Sequence, residues 1–138
     1  MNTMKIANGL RFNGNCEEAL ALYEKAFGVK ADFITRYKDA PPAENNQHPE
    51  GTENLILYTK IMLGNDEIGL WDVLPDNKHH FGNGMSIHVG FDIADEVRAA
   101  FDVLKEDGKI SKEPEKVFFT ECYSELTDKY GVSWILSC

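Results

Sequence analysis

His88 stands in the short apolar run Met85-Ser86-Ile87-His88-Val89-Gly90-Phe91. Ser86 lies two residues before it, and in an extended segment that spacing puts both side chains on one face. An imidazole titrates near neutrality, so His88 can act as a general base or, with displaced partners, as a metal ligand. The plainer alternative is a pocket-wall or core imidazole bonded to a neighbour. Glu121 and Glu125 reach it only if their own segment presents the right face. His79-His80 resembles a metal pair on paper, but adjacent side chains in a polar joint diverge, and the pair reads as solvated. Trp71 and Trp134 could be ligand platforms; Trp134 is assigned to the core, and Trp71 is open to either role. Cys16, Cys122 and Cys138 form no CxxC and no metal-ligand spacing, so they read as reduced, partly buried thiols. For Cys122 to act as a nucleophile it would need a nearby cation or base, and none is evident.

Composition narrows the classes of function. At 138 residues the chain is long enough to bury one core and is expected to form a single domain. Acidic residues number 23 against 14 basic ones, for a net charge of −9, and no basic cluster interrupts that balance. Such a surface repels a phosphate backbone, so nucleic acid is not an expected partner. No apolar run approaches the ~18 residues of a membrane span. Met-Asn-Thr-Met-Lys-Ile at the start lacks the apolar core of a signal peptide, so a cytoplasmic location is expected, away from any membrane.

The elements that must position these residues follow from periodicity. Ile6–Phe12 reads as a strand with Asn8, Leu10 and Phe12 on one face and Gly9 and Arg11 on the other. Asn15 follows as a helix N-cap with Glu18 as its capping-box partner. Ala19, Leu20, Tyr23, Ala26 and Phe27 then form the buried stripe, and Gly28 ends the helix. Lys30–Tyr37 is a strand candidate, and residues 39–53 form a long loop, read as a disordered segment or a lid over a site. Asn54–Leu63 and Glu67–Val73 pair through a Gly64-Asn65 hairpin turn. Residues 75–84 are a polar linker. Met85–Phe91 opens the second half as a strand. Asp92 caps a helix with Asp95 at the capping-box position, Val97, Phe101 and Leu104 face inward, and Gly108 closes it. Lys109–Ser111, Val117–Thr127 and Val132–Ser137 complete the strands, with turns at Pro114 and at Asp128-Lys129-Tyr130-Gly131. Each half is therefore β-α-β-β-β, one over about residues 1–74 and one over 85–138, an α+β arrangement with a mixed or antiparallel curved sheet.

Two phrases carry a family resemblance. Asn13-Gly14-Asn15-Cys16-Glu17-Glu18-Ala19-Leu20 with Tyr23 resembles the opening motif of the PhnB-like group in the glyoxalase/bleomycin-resistance, or vicinal oxygen chelate, superfamily. Phe118-Phe119 through Ser124, then Asp128, Tyr130-Gly131 and Trp134, resembles its closing motif, with Phe119 in place of a tryptophan and Thr120 and Ser124 in place of glycines. The resemblance covers the whole chain. It implies two βαβββ modules curling into one mixed sheet with helices outside, and a homodimer that shares strands.

In metal-dependent members of the superfamily, His and Glu from the module strands hold a divalent cation. Carried over by strand alignment, those positions fall on Asn8 and Ser86, near Leu70 and on Ile135, a set that does not make a transition-metal site. The group is often labelled after a demethylubiquinone methyltransferase. Nothing in the chain resembles a glycine-rich adenosylmethionine loop followed by an acidic ribose-binding residue, so no cofactor is expected. The expected cup is lined by Asn8, Leu10, Phe12, Trp71, Ser86, His88 and Tyr123, an aromatic and apolar wall suited to a small organic ligand. The alternative is a lyase, isomerase or dioxygenase in which His88 acts as base or displaced ligand.

Overall fold

The computed structural model describes residues 3–41 and 48–138. Two compact units emerge. The first takes the chain up to Glu24 with Gly28–His79, and the second groups Lys25–Phe27 with His80–Cys138. The elements run β1 (Asn8–Phe12), α1 (Cys16–Phe27), β2 (Ile34–Arg36), β3 (Ile56–Leu63) and β4 (Asp66–Asp72). They then repeat as β5 (Ile87–Gly90), α2 (Ala94–Leu104), β6 (Lys109–Val117), β7 (Thr120–Thr127) and β8 (Ser133–Ser137). The fold is α+β, with two four-stranded mixed sheets ordered β1-β4-β3-β2 and β5-β8-β7-β6. In each, the opening strand pairs in parallel with the last strand of its module, and the other pairs are antiparallel.

Helical spacing decides what each helix buries. Cys16, Ala19, Leu20 and Tyr23 recur at i, i+3, i+4 and i+7 and form the buried stripe of α1. Gly28 closes the helix at φ 64°, its N–H donating to the Glu24 carbonyl. Val97, Ala100, Phe101 and Leu104 do the same for α2, which packs on β6, β7 and β8.

Several local expectations give way to tertiary contacts. Asn15 makes no side-chain cap; a carboxylate from β4 takes that place, as described below. The N-cap of α2 is Ile93, and Asp92 instead donates its N–H to Glu96 Oε1 at 3.3 Å. The helix stops at Leu104, ahead of Gly108. Glycine is required at 108 for another reason: a Cβ there would lie 2.5 Å from the Thr127 carbonyl oxygen. The strand expected over Lys30–Tyr37 contracts to β2, because Tyr37–Asp39 winds into a 3-10 turn with Asp39 Oδ2 accepting the Arg36 N–H. Pro114 does not break the chain into two strands. It sits within β6, an edge strand whose irregular register tolerates a missing N–H, and the reversal falls at Phe118-Phe119. The lid reading of residues 39–53 falls in part on 42–47, which lie outside the described residues.

Candidate functional site

In the first sheet, Leu10 pairs with Leu70 and Phe12 with Asp72, while Thr59 pairs with Leu70 and Ile61 with Ile68. All of these are buried. They form the side covered by α1, where the Phe12 ring lies 6.4 Å from Tyr23. Leu10 and Phe12 are therefore core, not lining, and Asn8 shares their side at the exposed start of β1. The reason is complementarity: the α1 stripe needs an apolar partner face, and β1 supplies its two largest apolar side chains to it.

The opposite side carries Gly9, Arg11, Tyr58, Lys60, Glu67, Gly69 and Trp71. Here the glycines explain the rings. A Cβ on Gly9 would lie 2.7 Å from Trp71 Cη2, and one on Gly69 would lie 2.9 Å from the Tyr58 hydroxyl oxygen. Trp71 and Tyr58 thus lie down over bare backbone, their centroids 6.0 Å apart, with Phe33 a further 6.1 Å from Tyr58. The Arg11 guanidinium sits 5.8 Å from the Trp71 centroid, within cation–π range. The Tyr58 hydroxyl donates to Glu67 Oε2 at 3.3 Å, and Lys60 Nζ lies 3.6 Å from Glu67 Oε1. Burial first, then the Glu67 carboxylate, pushes the Tyr58 hydroxyl above its ordinary range. Sequence reasoning missed Gly9 and Gly69, although a lone glycine inside a strand signals close approach by another group.

Beneath this shelf, Asp72 joins four pieces of chain. Its Oδ1 accepts the N–H groups of Gly14 (3.0 Å) and Cys16 (2.9 Å), its Oδ2 accepts the N–H of Ile56 (2.9 Å), and its carbonyl accepts the Tyr37 hydroxyl (2.8 Å). Burial raises the Asp72 carboxyl, and the three N–H donors oppose that shift. His79 is not solvated as expected: Nε2 donates to the Arg11 carbonyl at 2.7 Å, and its backbone exchanges two bonds with the Asn13 side chain. A hollow of about 100 Å³ between Asn13 and Lys78 falls short of the roughly 300 Å³ at which organic-ligand pockets begin.

In the second sheet, Cys122, Ser124, Leu126, Trp134 and Leu136 are buried on the α2 side. Trp134 is core, as expected, with Nε1 donating to Asp128 Oδ2 at 2.8 Å. The other side gathers His88, Tyr123, Glu125, Ile135 and Ser137. His88 Nε2 lies 2.7 Å from Ser137 Oγ, and the Tyr123 hydroxyl donates to Glu125 Oε2 at 2.9 Å. Burial and that carboxylate push Tyr123 upward. Ser86 lies exposed just ahead of β5. Of the expected residues, then, Trp71 stands on one open face, and His88 and Tyr123 stand together on the other.

The donor set does not fit a divalent cation. The open positions of β1 and β4 are Gly9, Arg11, Gly69 and Trp71, and those of β5 and β8 offer one imidazole beside Ile135 and Ser137. Among the described residues, no three His, Cys, Asp or Glu side chains converge as a metal requires. Adenosylmethionine does not fit in the manner of a doubly wound fold either. The amides that open α1 are already bonded to a carboxylate of the protein's own, Asp72.

Paired βαβββ modules with these sheet orders define the glyoxalase/bleomycin-resistance fold of the vicinal oxygen chelate superfamily. The same fold is seen in a glyoxalase-related enzyme from Fulvimarina pelagi (TM-score 0.64, 13% identity, 97% and 87% of the two chains). It is also seen in the fosfomycin resistance protein FosX from Mesorhizobium loti (TM-score 0.59, 13% identity, 99% and 92%). Within the superfamily, residues 4–137 match the family described as 3-demethylubiquinone-9 3-methyltransferase, the PhnB-like group, and the chain belongs to that family. It is similar to protein PA1353 from Pseudomonas aeruginosa (TM-score 0.86, 25% identity, 99% and 98% covered). It is also similar to a PhnB protein from Bacillus cereus (TM-score 0.78, 30% identity, 97% and 98% covered).

Proposed function

We propose that this protein binds a small planar organic molecule without the metal quartet of its metal-dependent relatives. One observation carries the reading: Trp71 and Tyr58 lie over Gly9 and Gly69 on the sheet face opposite α1, with the Arg11 guanidinium beside the indole. Two rings and a cation suit the flat apolar body and anionic edge of an aromatic acid. Non-donor residues at the open strand positions support binding without metal, and elemental analysis of dialysed protein checks it: a stoichiometric, tightly held transition metal would overturn that part.

The two tryptophans make the binding test direct. Trp134 is buried and bonded to Asp128, so fluorescence quenching on titration with planar aromatic carboxylates, from benzoate upward, reports on Trp71. Trp71→Phe is expected to abolish the quench and weaken binding about tenfold, or ~1.4 kcal/mol, as measured by calorimetry. Equal affinity in the variant, or no binding across the series, would sink the proposal.

The second sheet supports a catalytic alternative, with His88 as general base and Ser137 as its hydrogen-bond partner at 2.7 Å. If turnover of any substrate found survives His88→Ala unchanged, that alternative is wrong. The homodimer that the family resemblance implies would appear as twice the chain mass in light scattering.

A further inference from the structure

The ladder between β7 and β8 continues one step past its last strand pair, Tyr123 with Ser137. There the Cys138 N–H donates to the Cys122 carbonyl at 3.1 Å, while the Thr120 hydroxyl donates to the Cys138 carbonyl. Cys122 and Cys138 are therefore directly opposite residues of an antiparallel pair. At a hydrogen-bonded pair the Cα atoms stand about 5.5 Å apart, inside the roughly 4.4–6.8 Å that a disulfide spans. Opposite residues also point to the same side, which here is the side of α2. Cys122 is fully buried and Cys138 is half-exposed. Burial pushes the Cys122 thiol up; Arg98 of α2 favours its thiolate, and the Cys138 sulfur is close enough to oppose it.

We propose that Cys122 and Cys138 are a reversible redox pair that closes into a cross-strand disulfide by exchange with a low-molecular-weight disulfide such as oxidised glutathione. The accessible partner reacts first. The Cys138 thiol loses its proton and attacks one sulfur of oxidised glutathione, forming a mixed disulfide and releasing one glutathione thiolate. The Cys122 thiol then loses its proton and attacks Cys138 Sγ, releasing the second thiolate. The two glutathione thiolates take up the two protons. The protein is oxidised by two electrons, and one glutathione disulfide is reduced to two thiols. Reduced glutathione reverses both exchanges, so the state of the pair follows the ratio of reduced to oxidised glutathione. Tyr123 and Ser137 are the adjoining residues, so closure acts on the strands that hold the Tyr123–Glu125 and His88–Ser137 pairs.

The test equilibrates the full chain with mixtures of reduced and oxidised glutathione, quenches with acid, alkylates after unfolding and maps peptides by mass. Two of the three cysteines are expected to escape alkylation, with one cross-link joining Cys122 to Cys138 and a mass two hydrogens below the reduced chain. Labelling of native reduced protein is expected at Cys138 alone. Cys122→Ala is expected to stop at a glutathione adduct on Cys138, and Cys138→Ala to resist oxidation. His88 ring signals in NMR spectra are expected to differ between oxidised and reduced wild type, and unchanged signals would overturn the coupling to that face. Three alkylatable thiols at every ratio, a lasting adduct on the wild type, a bridge to Cys16 or a bridge between two chains would overturn the pair. Should either variant fail to fold, the wild-type peptide map decides by itself.

Discussion

Asp72 holds together the end of β4, the start of α1 and the start of β3 through three backbone N–H groups. An asparagine keeps the size but offers one acceptor oxygen, so at least one buried donor loses its partner. Asp72→Asn is expected to cost about 1–3 kcal/mol, read as a lower urea midpoint with an unchanged slope. A shift inside about 0.5 kcal/mol would show that the cap matters little. Gly9 makes the complementary point. An alanine Cβ there meets the Trp71 ring at 2.7 Å, so Gly9→Ala must displace the indole from the sheet. The expected readouts are altered Trp71 fluorescence and lost quenching by aromatic carboxylates, with the far-ultraviolet circular dichroism kept. An unmoved emission spectrum would mean that the ring rests elsewhere in solution.

At the scale of elements, the β7–β8 turn is organised by Asp128. Its Oδ1 accepts the N–H groups of Tyr130 and Val132, and its Oδ2 accepts Trp134 Nε1. Gly131 completes the reversal at φ 93°. Asp128→Ala is expected to destabilise the second unit by about 2–4 kcal/mol, since it strands several buried donors together; thermal melts followed by Trp134 fluorescence check this. This turn is legible in the sequence because Asp and Gly set its geometry locally. The helix N-caps are not. Asn15 has the right residue type for a cap, yet the donors of α1 turn to Asp72, 56 residues from Cys16, because a buried carboxylate there can serve β3 at the same time. Register also relates the modules. Tyr58 and Tyr123 hold matching places beside β4 and β8, and each donates its hydroxyl to a glutamate on its own open face.

Across the whole molecule, three half-buried tyrosine hydroxyls predict a response to alkali. Burial and nearby carboxylates hold Tyr37, Tyr58 and Tyr123 above the ordinary tyrosine value. A group raised in the fold contributes its full stabilisation below its unfolded pKa, about 10, and loses it as pH rises through the folded value. The urea midpoint is therefore expected to hold up to about pH 10 and to fall above it. Ultraviolet titration should show these tyrosines ionising later in native than in urea-unfolded protein, and coincident curves would refute the assignment. The repeat itself was open to sequence reading, since period-3.6 stripes ending at Gly28 or Leu104 and apolar runs between turns are local signals. So was the presence of Trp71, His88 and Tyr123 in strands. Which side of each strand faces outward was not, because a period of two leaves both faces possible until a helix covers one. Packing against α1 sent Leu10 and Phe12 inward and left Gly9, Arg11 and Trp71 on the open side. Packing against α2 left His88, Ser137 and Tyr123 together and set Cys122 opposite Cys138. Residue types along the chain determined the elements, and the burial of one helix stripe per sheet decided the faces on which chemistry can occur.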